Sequence, residues 1–88
     1  MAWRIEIAES AERQLAKLDK QIARRITKYL RERIAPLEDP RSLGEGLKGL
    51  LREYWKYRVG DYRIVADIRD DVLRILVVRI ADRKEVYR

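Results

Sequence analysis

Residues 52–68 of this chain read REYWKYRVGDYRIVADI. Polar and apolar side chains alternate on either side of Gly60 and Asp61, as they do in strands that bury one face. A two-residue turn that begins with glycine is typical of tight hairpins. The stretch therefore predicts a β-hairpin in which Arg58 lies directly opposite Arg63.

The segments around the hairpin predict a strand, two helices, a loop and a further strand. In chain order they are a strand at 2–7, helices that follow Ser10 and Asp19 as N-caps and end near 18 and 34, a loop of about fifteen residues from Pro36, and a strand at 72–80. The unbroken apolar run at 75–78 indicates a strand covered on both sides. The order β-α-α-β-β-β predicts an α+β domain with both helices packed on a small, twisted, antiparallel-dominated sheet. We expect residues 1–88 to form a single domain.

Composition excludes several kinds of chemistry. The chain has 88 residues with no cysteine and no histidine, so disulfides, thiolate catalysis, Cys/His zinc sites and Ser-His-Asp triads are ruled out. The clustered acidic residues stand in or beside turns, and we expect no metal and no cofactor; they are Asp61, Asp67, Asp70 and Asp71. The sequence shows no run of apolar residues long enough to span a membrane and no signal-peptide pattern, which favours a cytoplasmic protein without a membrane partner.

The charge balance favours a polyanionic partner. Lysine and arginine total 21 against 15 acidic residues, a formal net charge of +6. The helix predicted at 20–34 is amphipathic and basic. Its cations either form a solvated face or bind nucleic acid or a protein partner, and the pattern is compatible with both.

Cations also gather on one face of the predicted hairpin. Lys56, Arg58 and Arg63 project from the same side of the sheet with Tyr54 beside them, because residues two apart on a strand share a face. Directly opposed arginines destabilise a sheet. The pair is therefore splayed into solvent, balanced by Asp67, or placed to bind an anion such as RNA phosphate.

An aromatic residue, Tyr87, stands one position before the end of the sequence. Either Val86 and Tyr87 dock on the fold, or Tyr87 stacks on an RNA base or handles a proton. The sequence leaves both alternatives open.

Two motifs resemble the signature of the RelE/ParE superfamily of bacterial and archaeal toxin–antitoxin toxins. They are KYRVGDYR at 56–63 and RKEVY at 83–87, and the resemblance covers essentially residues 2–88. It implies cleavage of messenger RNA in the ribosomal A site, the activity of the RelE branch, with the ribosome and mRNA as partners. It also implies a cognate RelB-like antitoxin that neutralises the toxin in a hetero-oligomer.

The resemblance implies a set of site residues. The implied catalytic residues are Lys56, Arg63, Arg83 and Tyr87, and the implied RNA-binding residues are Tyr54, Arg58, Lys84 and Arg88. Attack by the RNA 2′-hydroxyl needs a base, cations for the phosphate and a donor for the leaving oxygen. Without histidine, Lys56 would act as the base, Arg63 and Arg83 would clamp the phosphate, and Tyr87 would stack on a base or donate a proton.

Two departures from the pattern support alternatives. Tyr54 stands where RelE-type toxins can carry a lysine, and Asp82 stands where many relatives have histidine or lysine, so both changes remove positive charge. One alternative is a ParE-type inhibitor of DNA gyrase without nuclease activity. Another is an inactive relative that only binds antitoxin.

Overall fold

The computed structural model describes residues 3–47 and 53–82. Its regular elements are β1 (Arg4–Ile7), α1 (Glu9–Ala16), α2 (Lys20–Tyr29) with a π-helical continuation (Leu30–Ile34), a 3₁₀ turn (Pro40–Ser42), β2 (Glu45–Gly46), β3 (Trp55–Val59), β4 (Tyr62–Arg69), a second 3₁₀ turn (Asp70–Val72) and β5 (Arg74–Asp82). The α+β class and the order of the predicted elements are confirmed. The strand β2 is an addition that the sequence did not predict.

The sheet is mixed but mostly antiparallel. Its strand order is β1-β5-β4-β3-β2. The edge strand β1 runs parallel to β5, and the other three neighbouring pairs are antiparallel. The chain therefore returns from the helices to the far edge of the sheet and winds back through the hairpin, so that β5 ends beside β1.

The predicted hairpin is confirmed in its register and its turn. Arg58 lies opposite Arg63 and Val59 lies opposite Tyr62. Gly60 has a φ of 59°, a left-handed conformation that glycine adopts without steric cost. Local turn chemistry thus sets the pairing that places the cations.

Of the two predicted helix N-caps, one is confirmed and one is wrong. The Asp19 side chain accepts a hydrogen bond from the Gln21 amide at 2.8 Å, which confirms this N-cap. The Ser10 cap is wrong, because α1 already begins at Glu9. The Ser10 hydroxyl instead donates to the carbonyl of Val78 at 3.1 Å. Val78 is the extra residue of a bulge in the β4–β5 pairing, which leaves its carbonyl available.

The core lies between the helices and one face of the sheet. The largest fully buried side chains there are Tyr57, Ile26, Leu30, Ile34, Ile64, Ile75, Val77 and Pro40. These include the helix stripe and the strand faces that the periodicity predicts. Apart from the hydroxyl-bearing Tyr57, no polar or charged residue of the described chain is buried. The opposite sheet face carries the cations.

Two boundaries differ from the sequence-based expectation. The strand expected at 72–80 begins at Arg74, because Leu73 adopts a left-handed conformation and Val72 lies 50% exposed in the preceding 3₁₀ turn. The expected burial of 75–78 on both sides is also wrong. Ile75 and Val77 are buried, whereas Leu76 and Val78 are half-buried on the face without helices.

Candidate functional site: a cationic groove on the helix-free face

Two adjoining hollows lie on the face of the sheet opposite the helices. The first, of about 290 Å³, is lined by Leu47, Tyr54, Lys56, Arg63, Val65, Val78 and Arg79. The second, of about 250 Å³, is lined by Gly44, Glu45, Lys56, Arg58 and Arg63. Lys56 and Arg63 border both, so the hollows form one continuous surface, here called the cationic groove.

The structure brings together four of the predicted site residues in this groove. Lys56, Arg58 and Arg63 line it with Tyr54, as the alternation of the hairpin strands requires. Half-buried valines and Leu47 form its apolar part. The groove therefore offers cations for phosphate beside apolar and aromatic surface on which a base could rest.

Asp67 does not balance the opposed arginines of the hairpin. Its Oδ2 atom accepts a hydrogen bond from Nε of Arg69 at 2.9 Å, on the same strand and two residues away. This contact raises the pKa of the Arg69 guanidinium. The interpretation that Asp67 neutralises the Arg58–Arg63 pair is therefore wrong.

A carboxylate that the sequence reasoning missed contacts Lys56. The Oε1 atom of Glu45 lies 2.9 Å from Nζ of Lys56. The Lys56 side chain is 21% exposed and that of Glu45 is 69% exposed. The structure thus gives Lys56 an acidic neighbour, and the assignment of Lys56 as the base stays a prediction.

The backbone around Gly44 explains how Glu45 reaches Lys56. Gly44 has a φ of 78°, and a Cβ atom added to it would lie 2.3 Å from the Lys56 carbonyl oxygen. Only glycine allows this approach. The next residue, Glu45, then pairs with Lys56 in the β2–β3 ladder. The GEG sequence at 44–46 is the signal from which a close approach could have been inferred.

Side-chain hydrogen bonds hold this loop on β3. The indole nitrogen of Trp55 donates to the Leu43 carbonyl at 2.7 Å. The Tyr57 hydroxyl donates to the Pro40 carbonyl at 2.6 Å inside the core. Burial raises the pKa of the Tyr57 phenol well above its ordinary value, and the nearby Tyr29 adds to this rise. Tyr57 is therefore a neutral, structural hydrogen-bond donor at physiological pH.

An ion pair joins the two 3₁₀ turns. Arg41 Nη1 lies 3.0 Å from Asp70 Oδ1. This hydrogen bond lowers the pKa of the Asp70 carboxyl and raises that of Arg41. Both side chains are substantially exposed, so the pair contributes little stability, of the order of 1 kcal/mol or less.

A second basic surface adjoins the groove through Arg58. It is a hollow of about 320 Å³ lined by Arg25, Lys28, Tyr29, Glu32, Arg33, Arg58, Val59 and Gly60. The Arg25 guanidinium lies over the hairpin turn, 3.2 Å from the position of a Cβ atom on Gly60. The basic face of α2 is thus continuous with the cationic groove, and both interpretations of that face stay open.

The other predicted site residues lie outside the described chain. These are Arg83, Lys84, Tyr87 and Arg88, together with the docking alternative for Val86. Asp82, the last described residue, pairs with Tyr62 next to the hairpin turn. The roles implied for the C-terminal residues therefore stay predictions.

Residues 3–47 and 53–82 hold neither a cluster of metal ligands nor a membrane-spanning helix. No three Asp or Glu side chains of these residues come together as a cation site. Over the same residues, no helix has the length and apolar character needed to cross a membrane.

Comparison with known proteins places this chain in a family. Residues 5–87 match the family described as ParE toxin of type II toxin-antitoxin system, parDE. The chain is also 32% identical to Toxin RelE of Mycobacterium tuberculosis (strain ATCC 25618 / H37Rv), over 98% of this chain and 87% of the relative. This chain belongs to the RelE/ParE superfamily of type II toxin–antitoxin toxins.

Solved RelE structures share the fold. A chain of the toxin–antitoxin complex RelBE2 from Mycobacterium tuberculosis superposes with a TM-score of 0.85 at 21% identity, covering 93% of this chain and 92% of the other. A double-arginine mutant of E. coli RelE in complex with an antitoxin RelBc peptide gives a TM-score of 0.74 at 26% identity, covering 99% and 92%. The predicted RelE/ParE resemblance is thus confirmed by a ParE family model and by RelE relatives.

Proposed function

We propose that this RelE/ParE toxin is a metal-independent endoribonuclease that cleaves mRNA in the ribosomal A site and so stops translation. The observation that carries the proposal is the convergence of Lys56, Arg58 and Arg63 on one open groove beside Tyr54. Such a surface suits a single RNA strand whose phosphate binds the cations while a base contacts the aromatic ring. The RelE relative, 32% identical over nearly the whole chain, supports the same branch.

The proposed chemistry is internal transfer at one phosphodiester. The 2′-oxygen attacks the adjacent phosphorus, the bond from phosphorus to the 5′-oxygen breaks, and a 2′,3′-cyclic phosphate and a 5′-hydroxyl result. The 2′-hydroxyl proton passes to a base, and the leaving oxygen receives a proton. Lys56 and Arg63 stabilise the negative charge that builds on the phosphate. By resemblance, Arg83 completes the clamp and Tyr87 stacks on a base or donates the proton.

Further residues of the proposed site hold the RNA strand. Tyr54 and Arg58 line the cationic groove, and by resemblance Lys84 and Arg88 also contact RNA. The proposed substrate is bound to ribosomes, so the toxin would act in the cytoplasm.

We also propose a RelB-like antitoxin as the cognate partner, in a toxin–antitoxin hetero-oligomer. The RelE relative from E. coli binds a RelBc peptide, and the mycobacterial relative is part of a RelBE2 complex. The face without helices presents cations next to half-buried apolar residues such as Leu76 and Val78. A helical segment with acidic and apolar faces would complement this surface.

The test is cleavage on programmed ribosomes. The protein is added to ribosomes carrying a defined message, and new 5′ ends are mapped by primer extension, with naked RNA, Arg63→Ala and Arg83→Ala alongside. We expect cuts confined to A-site codons, absent from naked RNA and reduced about 100- to 1,000-fold in each variant, as when one transition-state donor is lost. Intact message in every lane would contradict the nuclease function.

The match to the ParE family supports a second candidate, inhibition of DNA gyrase without nuclease activity. The two functions separate in a gyrase supercoiling assay. Loss of supercoiling at toxin concentrations that leave programmed ribosomes intact would establish the ParE-type function. Undiminished supercoiling together with A-site cleavage would establish the RelE type.

A further inference from the structure

The contact between Glu45 and Lys56 places a carboxylate where the proposed function needs a phosphate. Their side-chain atoms lie 2.9 Å apart, and both residues border the cationic groove. Lys56 is the more enclosed partner, at 21% exposure, whereas Glu45 is 69% exposed. The lysine is therefore the more enclosed member of the pair, and the carboxylate is the member more exposed to solvent.

Carboxylate and phosphate compete for the same ammonium. RNA phosphate that approaches Lys56 meets the negative charge of Glu45, and it must displace or share this partner. An ion pair with one solvent-exposed partner is weak, so RNA that is already positioned can break it. Breaking the Glu45–Lys56 contact nevertheless costs free energy. This cost weakens the binding of RNA that is held by the groove alone.

We propose that Glu45 is a specificity-determining residue, which competes with RNA phosphate for Lys56 and so keeps the groove from retaining RNA that nothing else positions. This inference rests on the proposed function, in that it takes the groove to bind RNA. A ribosome that presents the strand supplies a high effective concentration and overcomes the competition. Free RNA has no such support and binds weakly.

Equilibrium binding to an RNA that cannot be cleaved tests the competition. The probe is a short fluorescent 2′-O-methyl RNA, followed by anisotropy with the wild type, Glu45→Gln and Glu9→Gln. Glu9 is the matched control, since it pairs with Arg13 in an exposed ion pair on α1 and borders neither hollow of the groove. We expect Glu45→Gln to bind roughly 3- to 10-fold more tightly than Glu9→Gln.

Salt dependence and a second background sharpen this test. In Glu45→Gln, Lys56 is available for one more phosphate contact. The plot of the logarithm of the RNA association constant against the logarithm of the salt concentration should therefore be steeper by about 0.7. In a protein that also carries Lys56→Gln, Glu45→Gln should raise the RNA affinity no more than Glu9→Gln does, because the lysine for which Glu45 competes is absent. Thermal unfolding of each variant verifies that it is folded.

Each outcome decides the inference. Equal affinity of Glu45→Gln and Glu9→Gln, or a gain that persists without Lys56, would overturn the competition while leaving the RNA groove in place. Absence of binding by every variant, Glu45→Gln included, would also overturn the inference, because removing the competing carboxylate should let the groove bind free RNA. Tighter binding by Glu45→Gln with no cleavage on ribosomes would sustain the competition and remove the nuclease.

Discussion

Replacing Gly44 with alanine should detach the loop that carries Glu45 from β3. The new Cβ would lie 2.3 Å from the Lys56 carbonyl oxygen, a backbone atom that cannot move alone, and φ is 78°. The left-handed conformation itself costs about 1–2 kcal/mol for alanine. Displacing the loop would also weaken the Trp55–Leu43 hydrogen bond, worth about 1 kcal/mol. We expect the free energy of unfolding to fall by about 2–4 kcal/mol.

The matched control is Gly46→Ala, two residues further along the chain, in β2. A Cβ atom there would lie 3.3 Å from Cζ3 of the Trp55 ring, a side chain that can shift, and the backbone is not left-handed. This variant should stay within about 1 kcal/mol of the wild type.

Urea and thermal unfolding, followed by far-UV circular dichroism and tryptophan fluorescence, measure both variants. In a domain of this size each kcal/mol corresponds to about 4–8 °C in Tm, so Gly44→Ala should lower Tm by at least about 8 °C. A Gly44→Ala protein as stable as Gly46→Ala would refute the argument that the close approach of backbone at Gly44 holds the loop.

Three further substitutions test the core, the buried phenol and the hairpin. Ile26→Ala should cost about 2–5 kcal/mol in urea unfolding, because this side chain is fully buried under the sheet. Tyr57→Phe leaves the Pro40 carbonyl without its donor and should cost about 1–3 kcal/mol. The raised pKa of Tyr57 keeps its phenol protonated in the folded state at pH values where the unfolded chain loses this proton. Above about pH 10 the free energy of unfolding of the wild type should therefore fall faster than that of Tyr57→Phe, by up to about 1.4 kcal/mol per pH unit. Parallel pH profiles of the two proteins would contradict this. Arg58→Thr should raise hairpin stability by a few tenths of a kcal/mol by removing the charge opposite Arg63, and at the same time weaken RNA binding; a less stable variant would exclude like-charge repulsion across this pair.

Sequence reasoning succeeded where the determinants are local. The hairpin follows from alternation and from a glycine-first turn, so the opposition of Arg58 and Arg63 could be predicted from the order of residues alone. Asp19 caps α2 through an amide only two residues away. The Asp67–Arg69 contact is equally local, since residues two apart on a strand share a face, and it could have been anticipated.

The rest depends on contacts between distant segments. The strand β2 has two residues, too few for a periodic pattern, and it exists because Gly44 lets the loop approach β3. Glu45 became part of the site through this pairing. Similarly, the Ser10 hydroxyl contacts a carbonyl on β5 that a bulge leaves available. Serine is favoured at helix starts by its intrinsic propensity, but the Ser10 hydroxyl makes a tertiary contact with β5 instead of capping α1.

The cleavage rate on programmed ribosomes tests most directly whether the cationic groove is the site of RNA chemistry. Lys56→Gln and Arg63→Gln are compared under single-turnover conditions with Arg13→Gln, which removes an exposed cation on α1 outside the groove. We expect the cleavage rate to fall about 100-fold or more in each groove variant and to stay within about threefold of wild type in Arg13→Gln. Folded groove variants that cleave A-site codons at the wild-type rate would contradict this expectation.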